Sequence, residues 1–226
     1  SVCEKGKTLR LHRSGRRCIS YGMTDKRRHR GPHPADDRLF ADDQVPRLRQ
    51  AVADQAWLLT RGYGEKATIK LVGDRYNLTQ RQRAAVQRAA CSDQQRANRF
   101  ATRAPITTIA GHSLLIDGYN VLTSVEAALA GGVLLFCRDH CLRDLASMHG
   151  SFRRVSETQR AIDGIGELLA RFGPSDVTWL LDQPVSNSGR LKGLLNQRAG
   201  ERGWPWRVDV VASPDAVMKT SSARSC

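Results

Sequence analysis

The stretch LLIDGYNVL at residues 114–122 joins a short apolar run to an acidic residue directly behind it. Residues 177–182, VTWLLD, repeat the arrangement. Short apolar runs bounded by polar residues are typical of buried strands. Between the two runs, apolar residues recur every three to four positions over 162–172, which indicates a helix. Strands that alternate with helices predict a mostly parallel α/β sheet.

Four strands are expected in this sheet, at 114–116, 133–137, 177–181 and 207–211. The capping-box spacing predicts helices that begin at Thr123, with Glu126, and at Ser156, with Gln159. Glu126 is therefore expected to serve the cap rather than catalysis. The polar run at 186–188 predicts the start of a further helix.

The first half of the chain has only helical patterns. Apolar residues at helical spacing predict helices over 46–59 and 66–76. Thr79 and Gln82 then form a capping-box pattern that opens a third helix. Helices joined by a short turn have the sequence shape of a helix-turn-helix.

These patterns predict four segments. They are a basic segment at 1–30, expected to be a disordered or non-native extension, a basic helical region at 31–103, a linker at 104–112 and an α/β domain at 113–226.

Positive charge is the strongest bulk signal, because the chain carries a formal charge of +14. Residues 1–30 hold +8 of it, and residues 79–103 contain six Arg against one Asp. Basic chains favour polyanionic partners. We expect Arg81, Arg83 and Arg88 to contact nucleic acid from the third helix; the alternative is an ordinary solvated helix face.

A second candidate contact lies at the start of the helix after residue 182. Ser186, Asn187 and Ser188 could receive a phosphate through exposed amides, with Arg190 adding charge. Ordinary N-capping is the alternative, and the two roles are compatible.

No membrane association is expected, because the longest apolar stretch is Val133–Cys137. No secretory signal pattern is visible at the N-terminus, so the expected compartment is the cytoplasm. The six cysteines are too sparse for a disulfide scaffold and are expected to be mostly free thiols.

Acidic residues follow the predicted strands where a parallel sheet binds ligands. Asp117 and Asp182 each come directly after a strand, and Asp139 lies two residues past another. The carboxyl ends of parallel strands open onto one crevice, so these carboxylates are expected to converge. Mg²⁺ or Mn²⁺ prefers such oxygen ligands and can activate water for phosphodiester hydrolysis. The alternatives are a turn cap for Asp117, a loop-stabilising role for Asp182 and a solvated side chain for Asp139.

LLIDGYNVL also resembles the first-strand motif of the NYN branch of the PIN-like nucleases. In that family the Asp binds a divalent metal and the Asn lies beside it in the active site. The resemblance therefore implies a PIN-like α/β fold, a Mg²⁺ or Mn²⁺ cofactor, and active-site roles for Asp117 and Asn120.

Three longer strings resemble an uncharacterised prokaryotic two-domain family with an N-terminal domain of unknown function and a C-terminal PIN-like domain. They are RGPHPADDRLF at 30–40, KLVGDRYNLTQRQR at 70–83 and WLLDQPVSNSGR at 179–190. In that family an acidic segment follows the fourth strand. The resemblance implies that this chain is truncated at its C-terminus before that segment.

Two functions are consistent with the sequence. The first is a metal-dependent, ribonuclease-like protein in which Asp117, Asp182 and Asp139 hold the metal and RNA is the favoured substrate. The alternative is a non-catalytic nucleic-acid-binding or regulatory module.

Overall fold

The computed structural model describes residues 30–145, 152–221 and 224–225. The expectation for the basic segment 1–30 therefore falls outside the described residues, apart from Arg30. The described chain forms two compact units. The first contains residues 31–103 and 131–145, and the second contains Arg30, residues 104–130 and the described residues from 152 onward.

Helices account for most of the described residues. In chain order they are α1 (Asp36–Leu39), α2 (Val45–Thr60), α3 (Glu65–Arg75), α4 (Gln80–Ala89), α5 (Asp93–Thr102), a short 3-10 helix (Ile106–Ile109), α6 (Gly118–Leu129), α7 (Thr158–Phe172), α8 (Ser188–Arg202) and α9 (Pro214–Thr220). The strands are β1 (Ser113–Asp117), β2 (Leu134–Phe136), β3 (Leu142–Asp144), β4 (Asp176–Asp182), β5 (Trp206–Val211) and β6 (Arg224–Ser225).

The first unit is a helical bundle with an apolar core that includes Leu48, Val52, Val72 and Val86. The helices predicted at 46–59 and 66–76 are confirmed as α2 and α3. The predicted capping box of α4 is also confirmed, because the Thr79 and Gln82 side chains each bond the other's backbone N–H.

The basic stretch 79–103 is interrupted between α4 and α5. A second capping box, formed by Ser92 and Gln95, opens α5. No residue of α5 is buried. The short break between the helices ends α4 at Ala89 and starts a separate, exposed helix.

The strand expected at 133–137 does not join the parallel sheet. Residues 134–136 form β2, which pairs antiparallel with β3 in a hairpin. Leu135, Cys137 and Leu145 contribute to the core of the first unit. An apolar run of this length is compatible with a parallel or an antiparallel sheet. Which of the two it joins depends on tertiary packing, which the sequence pattern does not report.

The second unit is built on a sheet of order β5-β4-β1-β6 in which every strand pair is parallel. The α/β class with a mostly parallel sheet is thus confirmed. Trp179 in the central strand β4 is fully buried. Residues from α6, α7 and α8 form one apolar cluster with the sheet. This packing is expected where helices connect parallel strands.

Helix α6 begins five residues earlier than predicted. Asp117 is its N-cap, and Thr123 lies inside the helix, where its hydroxyl donates to the Tyr119 carbonyl at 2.8 Å. The capping role expected for Glu126 is therefore wrong. Its carboxylate is fully buried and binds Arg30 and the Thr158 hydroxyl.

The predicted cap at Ser156 is also wrong, since Glu157 is the N-cap of α7 and makes no side-chain capping bond. The helix predicted after 186–188 is confirmed as α8. Among the described residues, no helix has the length and apolar character needed to cross a membrane.

Two glycines of α7 provide a test of how tightly this helix packs. A Cβ at Gly166 would lie 2.2 Å from the Trp204 ring, whereas a Cβ at Gly164 would meet nothing within 4 Å. We expect Gly166→Ala to lower the free energy of unfolding by about 1–3 kcal/mol through overpacking. Gly164→Ala should raise it by about 0.5–1 kcal/mol, because alanine favours the helix. Urea denaturation of both variants measures the difference, and equal effects would contradict the packing.

Candidate active site

Asp117 and Asp182 lie at the same edge of the sheet. Strands β1 and β4 are adjacent and parallel, and Asp117 pairs with Leu180, two residues before Asp182. Side chains two residues apart on a strand point the same way, so both carboxylates project from one side of the sheet. Strand spacing and rise place their Cα atoms about 8 Å apart. The predicted convergence of these two residues is therefore present in the structure.

A close approach of helix to strand fixes this edge. A Cβ at Gly118 would lie 2.5 Å from Leu181 Cδ2 and 3.1 Å from the Leu180 carbonyl oxygen. Helix α6 therefore starts directly against the end of β4, and a residue with a side chain at 118 would push the two apart. The glycine of the DGYN string is a packing requirement of the site.

Asn120 orients the first carboxylate. Its backbone N–H donates to Asp117 Oδ1 at 3.2 Å, and its side-chain Nδ2 donates to Asp117 Oδ2 at 2.6 Å. Asp117 thus caps α6, which agrees with the turn-capping role given above as the alternative for this residue. It caps the helix while facing the sheet edge. The capping role and a ligand role are compatible, because a carboxylate has further lone pairs.

A third carboxylate joins the first two, and the sequence reasoning missed it. Asp215 lies in the first turn of α9, which follows β5 and has Ser213 as its N-cap. Its charge acts on both Asp117 and Asp182. A signal was available, since Ser213-Pro214 directly after a predicted strand marks a helix start and places the next residue at the carboxyl edge of the sheet.

Burial and neighbouring negative charge disfavour the ionised forms of Asp117 and Asp182. Burial raises the pKa of Asp117, the hydrogen bonds from Asn120 oppose the rise, and the charge of Asp215 adds to it. Burial likewise raises the pKa of Asp182, and the charges of Asp117 and Asp215 raise it further. Like charges held close favour the protonated form or a bound cation.

Tyr119 brings a neutral donor to the same place. Its side chain is 4% exposed, and its hydroxyl has no hydrogen-bond partner among the described residues. Burial and the nearby charge of Asp182 raise the pKa of this phenol to about 12, so it keeps its proton at physiological pH. A buried hydroxyl without a partner costs free energy, and a ligand that accepts its hydrogen bond would recover that cost.

The donor chemistry of this edge fits a hard divalent cation. Carboxylate oxygens are the ligands that Mg²⁺ and Mn²⁺ prefer, and Mg²⁺ usually binds one or two of them together with waters and substrate phosphates. Across residues 30–145, 152–221 and 224–225, no group of three or more His, Cys, Asp or Glu is close enough to hold a metal on its own. Other ligands would have to complete the coordination.

Asp139 lies elsewhere. It belongs to the first unit, in the turn of the β2–β3 hairpin, and its carboxylate binds Arg99 and Arg143 at 2.5 and 2.7 Å. Burial would raise its pKa, but hydrogen bonds and charge from Arg143, helped by Arg99, lower it to about 2. Asp139 is thus held by arginines within the first unit, because the strand before it pairs in the β2–β3 hairpin and is not part of the parallel sheet.

The arginines expected to contact nucleic acid have different surroundings. Arg81 binds the buried carboxylate of Asp36, and Arg83 binds Asp74 at 2.7 Å. Both guanidinium groups are thus engaged within the first unit. Arg88 is exposed and makes no ion pair with a described residue.

The residues predicted at the start of α8 lie beyond the end of β4. The Ser186 carbonyl accepts a hydrogen bond from the Phe152 N–H at 2.9 Å, and Asn187 Nδ2 donates to the Phe152 carbonyl at 3.2 Å. Asn187 is the N-cap of α8 but makes no side-chain capping bond. Ser188 and Arg190 form the first turn, and Arg190 is exposed.

The raised pKa of Asp182 predicts how stability depends on pH. The folded protein holds this proton more tightly than the unfolded chain, so stability falls as pH rises above about 4 through the raised pKa. Asp182→Asn should therefore raise the free energy of unfolding at pH 7 by up to about 1 kcal/mol. The gain should vanish near pH 4, as measured by urea denaturation at both pH values.

Asp176, at the other end of β4, is the control with the opposite sign. Hydrogen bonds from Ser113 and Ser175 lower its pKa, so its contribution to stability is present above pH 4 and lost as pH falls through the lowered pKa. Asp176→Asn should slightly destabilise the protein at pH 7. A gain from Asp182→Asn that is the same at both pH values would contradict the raised pKa of Asp182.

Two family models match the chain. The one described as "Domain of unknown function (DUF5616)" matches residues 106–225, and the one described as "Protein of unknown function (DUF434)" matches residues 47–101. An uncharacterised protein of Methanocaldococcus jannaschii is 27% identical over 151 residues, which are 67% of this chain and 72% of that relative. No solved structure shows a significant match to the chain.

Proposed function

The chain belongs to the DUF5616 family, and from its sheet edge we propose that it is a divalent-metal-dependent nuclease that hydrolyses RNA. One observation carries the proposal. Asp117, Asp182 and Asp215 lie at the carboxyl ends of parallel strands, where burial and, to a smaller extent, the charge of Asp215 raise the pKa of Asp117 and Asp182. Carboxylates that repel one another in a crevice where ligands bind are characteristic of functional sites.

The similarity of the DGYN string to the first-strand motif of PIN-like nucleases supports the same proposal. The motif's Asp and Asn correspond to Asp117 and Asn120, and the two are hydrogen-bonded to each other. We also propose that the second unit has a PIN-like fold and that the protein acts in the cytoplasm.

Each residue of the edge has a role in the proposed reaction. Asp117 and Asp182 would hold Mg²⁺ or Mn²⁺ together with waters and substrate phosphate oxygens, and Asp215 would add negative charge nearby. A cation bound there supplies Lewis acidity that activates water and neutralises phosphate charge. Asn120 keeps the Asp117 carboxylate turned toward the edge. Tyr119 would donate its hydrogen bond to a phosphate oxygen.

A nuclease assay tests the proposal. We expect the parent protein to cleave single-stranded RNA in the presence of Mn²⁺, and Asp117→Asn to slow cleavage about a thousandfold, the scale of a lost metal ion. The asparagine retains a side-chain oxygen that can cap α6, so folding should be preserved. Asp176→Asn, a carboxylate removed from the opposite end of the same sheet, should leave the rate unchanged. Equal rates for the parent and Asp117→Asn would refute the catalytic site.

The partnerless hydroxyl of Tyr119 allows structure and catalysis to be separated. Tyr119→Phe removes a group that bonds nothing in the described part of the chain, so the free energy of unfolding should stay the same or rise slightly. If the hydroxyl donates to substrate, the same change should slow cleavage about tenfold. A variant that unfolds more easily but cleaves normally would assign Tyr119 a purely structural role.

A second function is favoured by one specific observation. Among the described residues, no group of three metal-binding side chains is close enough to hold an ion. We therefore also propose the alternative of a non-catalytic nucleic-acid-binding or regulatory module. It predicts salt-sensitive RNA binding without turnover in the assay above, even at high Mn²⁺.

A further inference from the structure

Two large aromatic side chains of the first unit are exposed close together in the chain. Trp57, near the end of α2, is 54% exposed, and Tyr63, in the turn that follows, is 59% exposed. Neither belongs to the apolar core of this unit, and the buried residues of α2 include Leu48, Val52 and Ala56. Folding of the first unit therefore does not account for these two rings.

Arg61 is stacked on the first ring. Its guanidinium carbon lies 3.5 Å from the centroid of the Trp57 ring, and its Nη1 donates to the Trp57 carbonyl at 3.2 Å. Arg61 makes no ion pair with a described carboxylate. A flat guanidinium on an indole presents a cationic, planar surface, and planar surfaces of this kind are where unpaired bases stack.

The turn after α2 holds these groups in place. The Gly62 N–H donates to the Leu59 carbonyl at 3.0 Å, and the Tyr63 N–H donates to the Leu58 carbonyl at 3.3 Å. Gly62 has a φ of +82°, which glycine adopts without strain. The backbone of Tyr63 is thereby held against the last turn of α2. The stack of Arg61 on Trp57 is already formed, so a ligand does not have to bring these two groups together.

We propose that Trp57, Arg61 and Tyr63 form a stacking platform that binds single-stranded nucleic acid. The proposal goes beyond the nuclease activity and does not depend on it, because a strand could be bound whether or not it is cleaved.

The net positive charge of residues 31–103 favours a polyanion as the ligand of the platform. Residues 31–103 carry thirteen Lys and Arg against eight Asp and Glu. Lys66, Lys70, Arg88 and Arg103 are exposed and form no ion pair in the part of the chain that the structure describes. Exposed cations that contact phosphates, together with rings that stack bases, are how single strands are bound without sequence preference. A duplex hides its base faces and would use the cations alone.

Fluorescence anisotropy of the full chain with a labelled single-stranded RNA of about 12 nucleotides tests the platform. EDTA is present throughout, so that binding is measured without metal-dependent cleavage. We expect Trp57→Ala to weaken binding about tenfold, the scale of one lost base stack, and Trp57→Phe to retain most of the affinity. Arg61→Lys, which keeps the charge and loses the plane, should also weaken binding. Binding of an RNA duplex should be the same for the parent and Trp57→Ala.

Leu168→Ala is the matched control, because Leu168 is a large apolar residue exposed to 46% on α7 and has no ring to stack. It should leave RNA affinity unchanged. Three results would overturn the platform: a parent that does not bind the single strand, equal affinities of the parent and Trp57→Ala, or an equal loss for single strand and duplex. A Trp57→Ala change that alters self-association in sedimentation but not RNA affinity would assign the surface to a second copy of the chain instead.

Discussion

The parallel pairing of β1 with β4 is the constraint on which the candidate site depends. It brings two chain segments separated by about sixty residues to a common edge, each ending in an aspartate. The absence of a side chain at Gly118 lets α6 begin against β4, which closes the space between the two strand ends. Asn120 and Tyr119 then lie in the first turn of α6 as a direct result. The strand register and the close packing at Gly118 thus determine which side chains lie at the acidic edge.

The acidic edge differs electrostatically from the buried carboxylates of the first unit. In the first unit most acidic side chains that are buried have an arginine beside them, as Asp36 and Asp139 do, and their charge is compensated. In the second unit Asp117 and Asp182 face a third carboxylate and an uncharged phenol. Such a cluster of carboxylates costs free energy unless a proton or a cation neutralises it. Asp139, which also follows an apolar run in the sequence, therefore has a different environment from Asp117 and Asp182.

Sequence periodicity was sufficient where local signals and tertiary packing agreed. Periodicity predicts α2 and α3, capping patterns predict α8 and the start of α4, and apolar runs predict β1, β4 and β5. It failed where tertiary partners decided: the run at 133–137 has the composition of a parallel strand but pairs with the segment just after it. Thr123 and Glu126 have the spacing of a capping box inside a helix that had already begun at Gly118. The ion pairs of Arg81 and Arg83 join residues from different helices, and no one-dimensional pattern reports such contacts.

The return of residues 131–145 to the first unit has a consequence for how the protein is made. A ribosome releases the helices α1 to α5 and then β1 and α6 before it reaches the hairpin that supplies Leu135 and Leu145 to the earlier core. The helical bundle cannot bury its apolar surface completely during that interval. Translation of residues 104–145 would therefore set how long that apolar surface stays uncovered, and a fragment ending at residue 103 would keep it exposed.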